Sequence, residues 1–197
     1  MHRACVSRCL EHARRDVLAW PKATVGQSSK PPHTCLNEMS SEAAREALTR
    51  CCGAQRWVQE MVARRPFEST PALFEAARAI WQGLGRDDYL EAFQHHPRIG
   101  DSLSELAKRF ARTASMAARE QAKVAQADQA TLLELRAENQ RYFERFGFIF
   151  IVCATGKSAD EMLSLLRERL HHDAATELAI AAEEQSKITA LRLAQLA

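Results

Sequence analysis

The chain has 197 residues, with 27 basic and 25 acidic side chains and a formal net charge of +2. That near-balance, with no basic stripe interleaved with aromatics, argues against a nucleic-acid partner. The longest apolar run, "FGFIFIVCA", is half of what a membrane span needs, and the length suits one domain that buries a core without disulfides or metal.

Residues 1–35 differ from the rest. "MHRACVSRCLEHARRDVLAW" has the pattern of a short basic amphipathic helix, and "PKATVGQSSKPPHT" reads as a linker rich in Pro, Ser, Lys and Gly. A secretory signal needs an apolar core that is missing here. Arg-rich character suits an organelle transit peptide, but Glu11 and Asp16 do not. The preferred reading is an extension, disordered or weakly helical, or an upstream start with translation beginning at Met39. Residues 36–197 form the expected domain.

From Leu36 the pattern becomes helical. Ser40 or Ser41 caps "SEAAREALTRCCG", and Gly53 is the expected stop. "AQRWVQEMVARRPF" follows, apolar at Trp57, Val58, Met61 and Val62 and ended by Pro66. Thr70 as N-cap with Pro71 at the first helical position starts "ALFEAARAIWQ", which Gly83 and Gly85 stop. "DDYLEAFQHH" ends before Pro97, because a residue preceding proline is pushed out of the helical region. Ser102 and Glu105 form a capping box for the long stretch that follows. "TLLELRAENQRYFERFG" places Leu132, Leu135, Tyr142, Phe143 and Phe146 near helical spacing, with Gly147 closing it. A second capping box, Ser158 to Glu161, opens "ADEMLSLLRERL"; "HHDAA" at 171–175 marks a bend before the last helix. Only "FIFIVCA" resists the helix reading. A lone strand has no partner for its ladder, so an extended or partly helical buried segment within an all-α, single-domain bundle is expected. Its backbone groups must find partners, and a polar ligand is one candidate.

The six cysteines (Cys5, Cys9, Cys35, Cys51, Cys52 and Cys153) read as reduced thiols of a cytosolic protein, since their spacing makes no disulfide framework. Cys5 and Cys9 with His2 and His12 lack the second half of a zinc motif, so no metal site is expected.

Three side chains stand out for chemistry. In "QHHPRIGD", Pro97 fixes the backbone directly after His96, Gly100 allows a tight turn, and a helix N-terminus that attracts anions follows. A rigid imidazole there suits proton exchange near neutral pH; His95 has no such fixed geometry and reads as solvated. Glu120, before Gln121, is weak alone, as mid-helix glutamates are usually solvated. Arg192 lies among Ile188, Leu191 and Leu193, and a buried arginine calls for an anionic partner, an internal carboxylate or a substrate.

Taken together, "LNEMSSEAAREALTRCCGAQRWVQEM", "RPFESTPALFEAA", "FQHHPRIGD", "AREQA", "ENQRYFERFGFIFIVCATGKS" and "KITALRL" resemble one family over about Leu36 to Leu196. It is the 2-oxo-4-hydroxy-4-carboxy-5-ureidoimidazoline (OHCU) decarboxylases of uric acid degradation. The order of "HPRIGD", "EQA" and "FGFIFIVCATGKS" makes the likeness specific. The resemblance implies an all-α, cytoplasmic, typically homodimeric carboxy-lyase that uses no cofactor and yields (S)-allantoin. It implies catalytic roles for His96, Glu120 and Arg192. It implies substrate contacts from Pro97, Ala117, Gln121 and the run Phe150, Ile151, Val152, Cys153 and Ala154. Two positions depart from the family pattern: Ala117 stands where the family often has Ser, and Ile149 where it favours Pro. Ala117 keeps open an inactive binding or regulatory homologue. A lyase for another ureido acid is the second alternative.

Overall fold

The computed structural model describes residues 30–96, 121–155 and 157–196, without the side chains of 121–128. Among them are eight helices and no strand. They are α1 (Pro32–Glu38), α2 (Ser41–Cys51), α3 (Gln55–Ala63), α4 (Thr70–Gln82), α5 (Arg86–Gln94), α6 (Gln121–Phe146), α7 (Ala159–Arg169) and α8 (Ala174–Leu193). None is long and apolar enough to cross a membrane. The expected all-α class is observed. The expected helix after Ser102 and most of the extension lie outside the described residues.

Local chemistry sets most boundaries. Ser40 caps α2 by accepting from the Ala43 N–H, and Ser158 forms the expected capping box with Glu161 on α7. Gly147, at φ +77°, closes α6 in a left-handed conformation that suits glycine. Two expectations shift. The linker reading gives way at Pro32, because consecutive prolines also pre-set a helix start: Pro31 is extended and Pro32 takes the first turn of α1. Ser69 rather than Thr70 caps α4, accepting from the Ala72 N–H. The Thr70 hydroxyl is engaged elsewhere, 2.9 Å from His33 Nδ1 on α1.

Two apolar cores flank α8. The first joins α1 to α5 around Leu36, Leu48, Trp57, Met61, Leu73 and Trp81, with Ala182 and Leu193 from α8. The second gathers Phe93, Leu135, Tyr142, Phe146, the segment Phe148–Ile151 and α7, with Ala181 from α8. Adjacent residues of α8 therefore enter different cores, which is why its sequence is rich in alanine and lacks one clean apolar stripe. Indole N–H groups pin the layers: Trp57 donates to the Ala77 carbonyl at 3.0 Å and Trp81 to that of Ala182 at 2.9 Å. Of the apolar positions expected on α6, Leu132, Leu135, Tyr142 and Phe146 are buried, whereas Phe143 is exposed.

The Asn37 carboxamide closes the first core, donating to the Phe67 carbonyl at 2.8 Å and accepting from the Phe67 N–H at 2.9 Å. Asn37→Ala leaves both backbone groups without that partner, and unfolding in urea should show a loss of about 1–3 kcal/mol.

Candidate functional site

The segment that resisted assignment, Phe148 to Ala154, is neither helix nor strand. Its backbone is met by side chains. Arg169, at the end of α7, donates from Nη1 to the Ile151 carbonyl at 2.7 Å. Glu184, on α8, accepts from the Cys153 N–H at 2.6 Å, and Lys157 donates to the Cys153 carbonyl at 2.9 Å. The guanidinium of Arg169 also stacks over the Phe150 ring, 4.6 Å from its centroid.

Arg169 is itself held by a fully buried carboxylate. Its Nε donates to Glu177 Oε1 at 2.7 Å, the Tyr142 hydroxyl donates to the same oxygen, and His172 Nδ1 lies 2.8 Å from Oε2. Burial pushes the Tyr142 phenol far above its usual range, which keeps it a donor. Three helices and the segment thus meet at one anion.

The ends of α2, α5 and α8 lie together, and α5 reaches the segment through Phe93. Arg192, half-buried near the end of α8, donates from Nη1 to the carbonyls of Cys51 (3.2 Å) and Arg50 (3.4 Å), the last turn of α2. Sequence reasoning called for an anionic partner; among the described residues it meets the negative end of a helix instead. A guanidinium has five donors, so its planar fork retains capacity for an acid. His96 follows α5, half-buried, with its N–H donating to the Phe93 carbonyl at 3.1 Å. Phe93 packs on Phe148 with ring centroids 5.5 Å apart.

His95, expected to be solvated, is exposed, yet its side chain packs against Gly53. A Cβ on Gly53 would stand 2.2 Å from His95 Cδ2 and 2.7 Å from its Cβ. Gly53 was expected as a helix stop, but α2 already ends at Cys51, with Cys52 extended. Its role is space: it lets α5 approach the end of α2.

Of the sequence-predicted residues, His96 and Arg192 follow or end helices that lie together, and the run Phe150 to Ala154 belongs to the segment on which Phe93 packs. Phe150 and Ile151 are buried; Val152, Cys153 and Ala154 are half-buried. Ile149, where the family pattern favours Pro, packs against the second core. Pro97, Ala117 and Glu120 lie outside the described residues. Gln121 is the first residue of α6, and its side chain lies outside them too. Sequence reasoning missed Arg169, Glu177 and Glu184. A usable signal was present: an unpaired extended segment needs donors and acceptors, and Arg169 and Glu177 sit at the facing ends of consecutive helices across the "HHD" bend.

Fold and geometry define an all-α protein in which one irregular segment is held by charged side chains of the last two helices, with the ends of three helices meeting further along the last one. The sequence profile of the OHCU decarboxylase family matches residues 37–194. The chain belongs to the OHCU decarboxylase family.

Among relatives, it is 38% identical over 160 residues to the uric acid degradation bifunctional protein TTL of Arabidopsis thaliana, covering 80% of this chain and 48% of that protein. It is 27% identical over 161 residues to the 2-oxo-4-hydroxy-4-carboxy-5-ureidoimidazoline decarboxylase of Haloferax volcanii, covering 81% of this chain and 92% of that one. A crystal structure of OHCU decarboxylase in the presence of (S)-allantoin superposes with a TM-score of 0.61 at 38% identity, over 79% of this chain and 96% of that one. The chain spans about half the length of the Arabidopsis bifunctional relative and about a third of the Bacillus subtilis one.

Two outcomes follow. Glu177→Gln strips the buried Arg169 of its counter-charge and should cost about 3–5 kcal/mol in urea unfolding, with the 148–154 amides losing protection from hydrogen exchange first. Burial pushes the Cys51 thiol up to about 12 and that of Cys52 up to about 11. Both should therefore resist iodoacetamide in the folded protein at pH 8 and react once it is unfolded. Cys153, half-exposed, should label first among the described thiols, as peptide mass mapping can establish.

Proposed function

We propose that this chain decarboxylates 2-oxo-4-hydroxy-4-carboxy-5-ureidoimidazoline to (S)-allantoin without a cofactor, as a cytoplasmic homodimer. The observation that carries this reading is the 38% identity, over 96% of its chain, to an OHCU decarboxylase crystallised in the presence of (S)-allantoin.

The substrate's own structure makes the reaction feasible. One ring carbon bears both hydroxyl and carboxylate, and its neighbour is an imine carbon. When the bond to the carboxylate breaks, its electron pair forms a C=C bond between the two ring carbons. The imine π electrons move to nitrogen, which takes a proton. The resulting enol loses its hydroxyl proton and gains one on the neighbouring carbon, giving a ring amide carbonyl and a new stereocentre. The electron sink is thus built into the ring. The protein's tasks are to hold the carboxylate perpendicular to the conjugated system, accept and return protons, and deliver the last proton to one face. Positioning of this kind contributes several kcal/mol.

In this reading His96 hydrogen-bonds the hydroxyl and carboxylate and takes the hydroxyl proton, as an imidazole does well near neutral pH. Glu120 contacts the ring N–H or ureido group and sets the face that is protonated. Arg192 binds the acid or balances Glu120. Pro97, Ala117 and Gln121 complete the contacts, with backbone groups from Phe150, Ile151, Val152, Cys153 and Ala154 at the ureido end. The Arg169 and Glu184 bonds support this by fixing the orientation of that backbone.

The test generates the unstable substrate from urate with the two preceding enzymes and follows circular dichroism. Optically active allantoin should appear much faster than the racemate from spontaneous decay, and His96→Asn should fold normally and lose about a hundredfold or more in turnover. A helical binder without activity would change neither rate nor chirality.

A further inference from the structure

We infer that Gln185 is a further substrate-contacting residue: the open end of its buried carboxamide hydrogen-bonds an amide of the ureido ligand. This rests on the function proposed above and adds a residue to its site.

Gln185 is fully buried in the middle of α8, an uncommon place for a glutamine. Its Nε2 donates to Thr189 Oγ1 at 3.1 Å, while Oε1 meets no partner among the described residues. The two ends of a carboxamide are assigned from such networks. Turned over, Oε1 would accept from the Thr189 hydroxyl and the NH2 would be left open instead. In either orientation one strong polar group is buried and available, which a folded chain tolerates poorly unless something occupies it.

The surroundings place that group at the corner already described. Gln185 and Arg192 are seven residues apart, two turns along one face of α8. Ala181, one turn earlier on that face, packs in the core with Phe93 and Phe148–Ile151. The preceding residue, Glu184, holds the Cys153 N–H. Thr189, which receives the carboxamide, also lies close to Cys52, next to the Cys51 carbonyl that receives Arg192. The carboxamide therefore belongs to the side of α8 that packs Ala181 against the segment and presents Arg192 to the end of α2. Being neutral, it complements an amide edge rather than a carboxylate. A ureido group or a ring amide supplies both N–H and C=O, so it matches either orientation of the glutamine.

The experiment uses the full chain and measures turnover by circular dichroism, the Kd of (S)-allantoin by calorimetry, and thermal stability. Gln185→Met keeps length and volume and removes both polar ends. The loss of one ligand hydrogen bond should raise KM and the allantoin Kd about tenfold, with the thermal midpoint unchanged or raised. Thr189→Val frees the carboxamide to turn and should raise KM about threefold with kcat held. Unchanged KM and Kd in Gln185→Met, or lost thermal stability with KM intact, overturns the inference. Should Gln185→Met not fold, a wild-type KM in Thr189→Val overturns it alone. Absence of both turnover and allantoin binding in the unaltered protein sinks the proposed function and this inference with it; an active protein indifferent to Gln185→Met sinks only the latter.

Discussion

A single buried carboxylate organises the second half of this protein. Glu177 has no exposure to solvent, and it collects Arg169, Tyr142 and His172 around its two oxygens. A charge taken out of water is expensive unless every lone pair is met. Here each partner comes from a different place: α6, the end of α7, and the bend before α8. Those elements must arrive together for the anion to be tolerated, so the network specifies their relative placement more than it adds net stability. Its by-product is the bond from Arg169 to the Ile151 carbonyl, which holds a backbone that no regular element supports.

The last helix joins the two cores. Ala181 packs into one and Ala182 into the other. Its alanines allow close approach on both sides, and several of its polar residues meet backbone or buried groups: Glu184 at Cys153, Gln185 at Thr189, Arg192 at the end of α2. A helix covered on two sides has little freedom to shift without disturbing both cores. A helix so held presents Arg192 to the end of α2 in a fixed orientation, which is what the proposed function asks of it.

Much of this was legible residue by residue. Capping serines, the proline at the start of α4 and the glycine after α6 act locally, through hydrogen bonds and backbone angles spanning a few positions. The half-buried neighbourhood of Arg192 could also be read in place. Gly53 could not: its need for space comes from His95, 42 positions later, and a helix stop was the only reading a local rule could offer. Thr70 was misplaced as a cap for the same reason, since its competitor for the hydroxyl is His33 on α1.

The sequence by itself determined the all-α class, most helix boundaries, the segment that would break the pattern and the family likeness, because these depend on short-range periodicity, capping chemistry and motif order. Only the tertiary structure decided which charged residues are buried. Glu177 looks like an ordinary first-turn acid and Arg169 like an ordinary last-turn base. Whether either faces water or a phenylalanine ring depends on how helices far apart in the chain pack, and a free energy that comes from surroundings is not written in the residue itself.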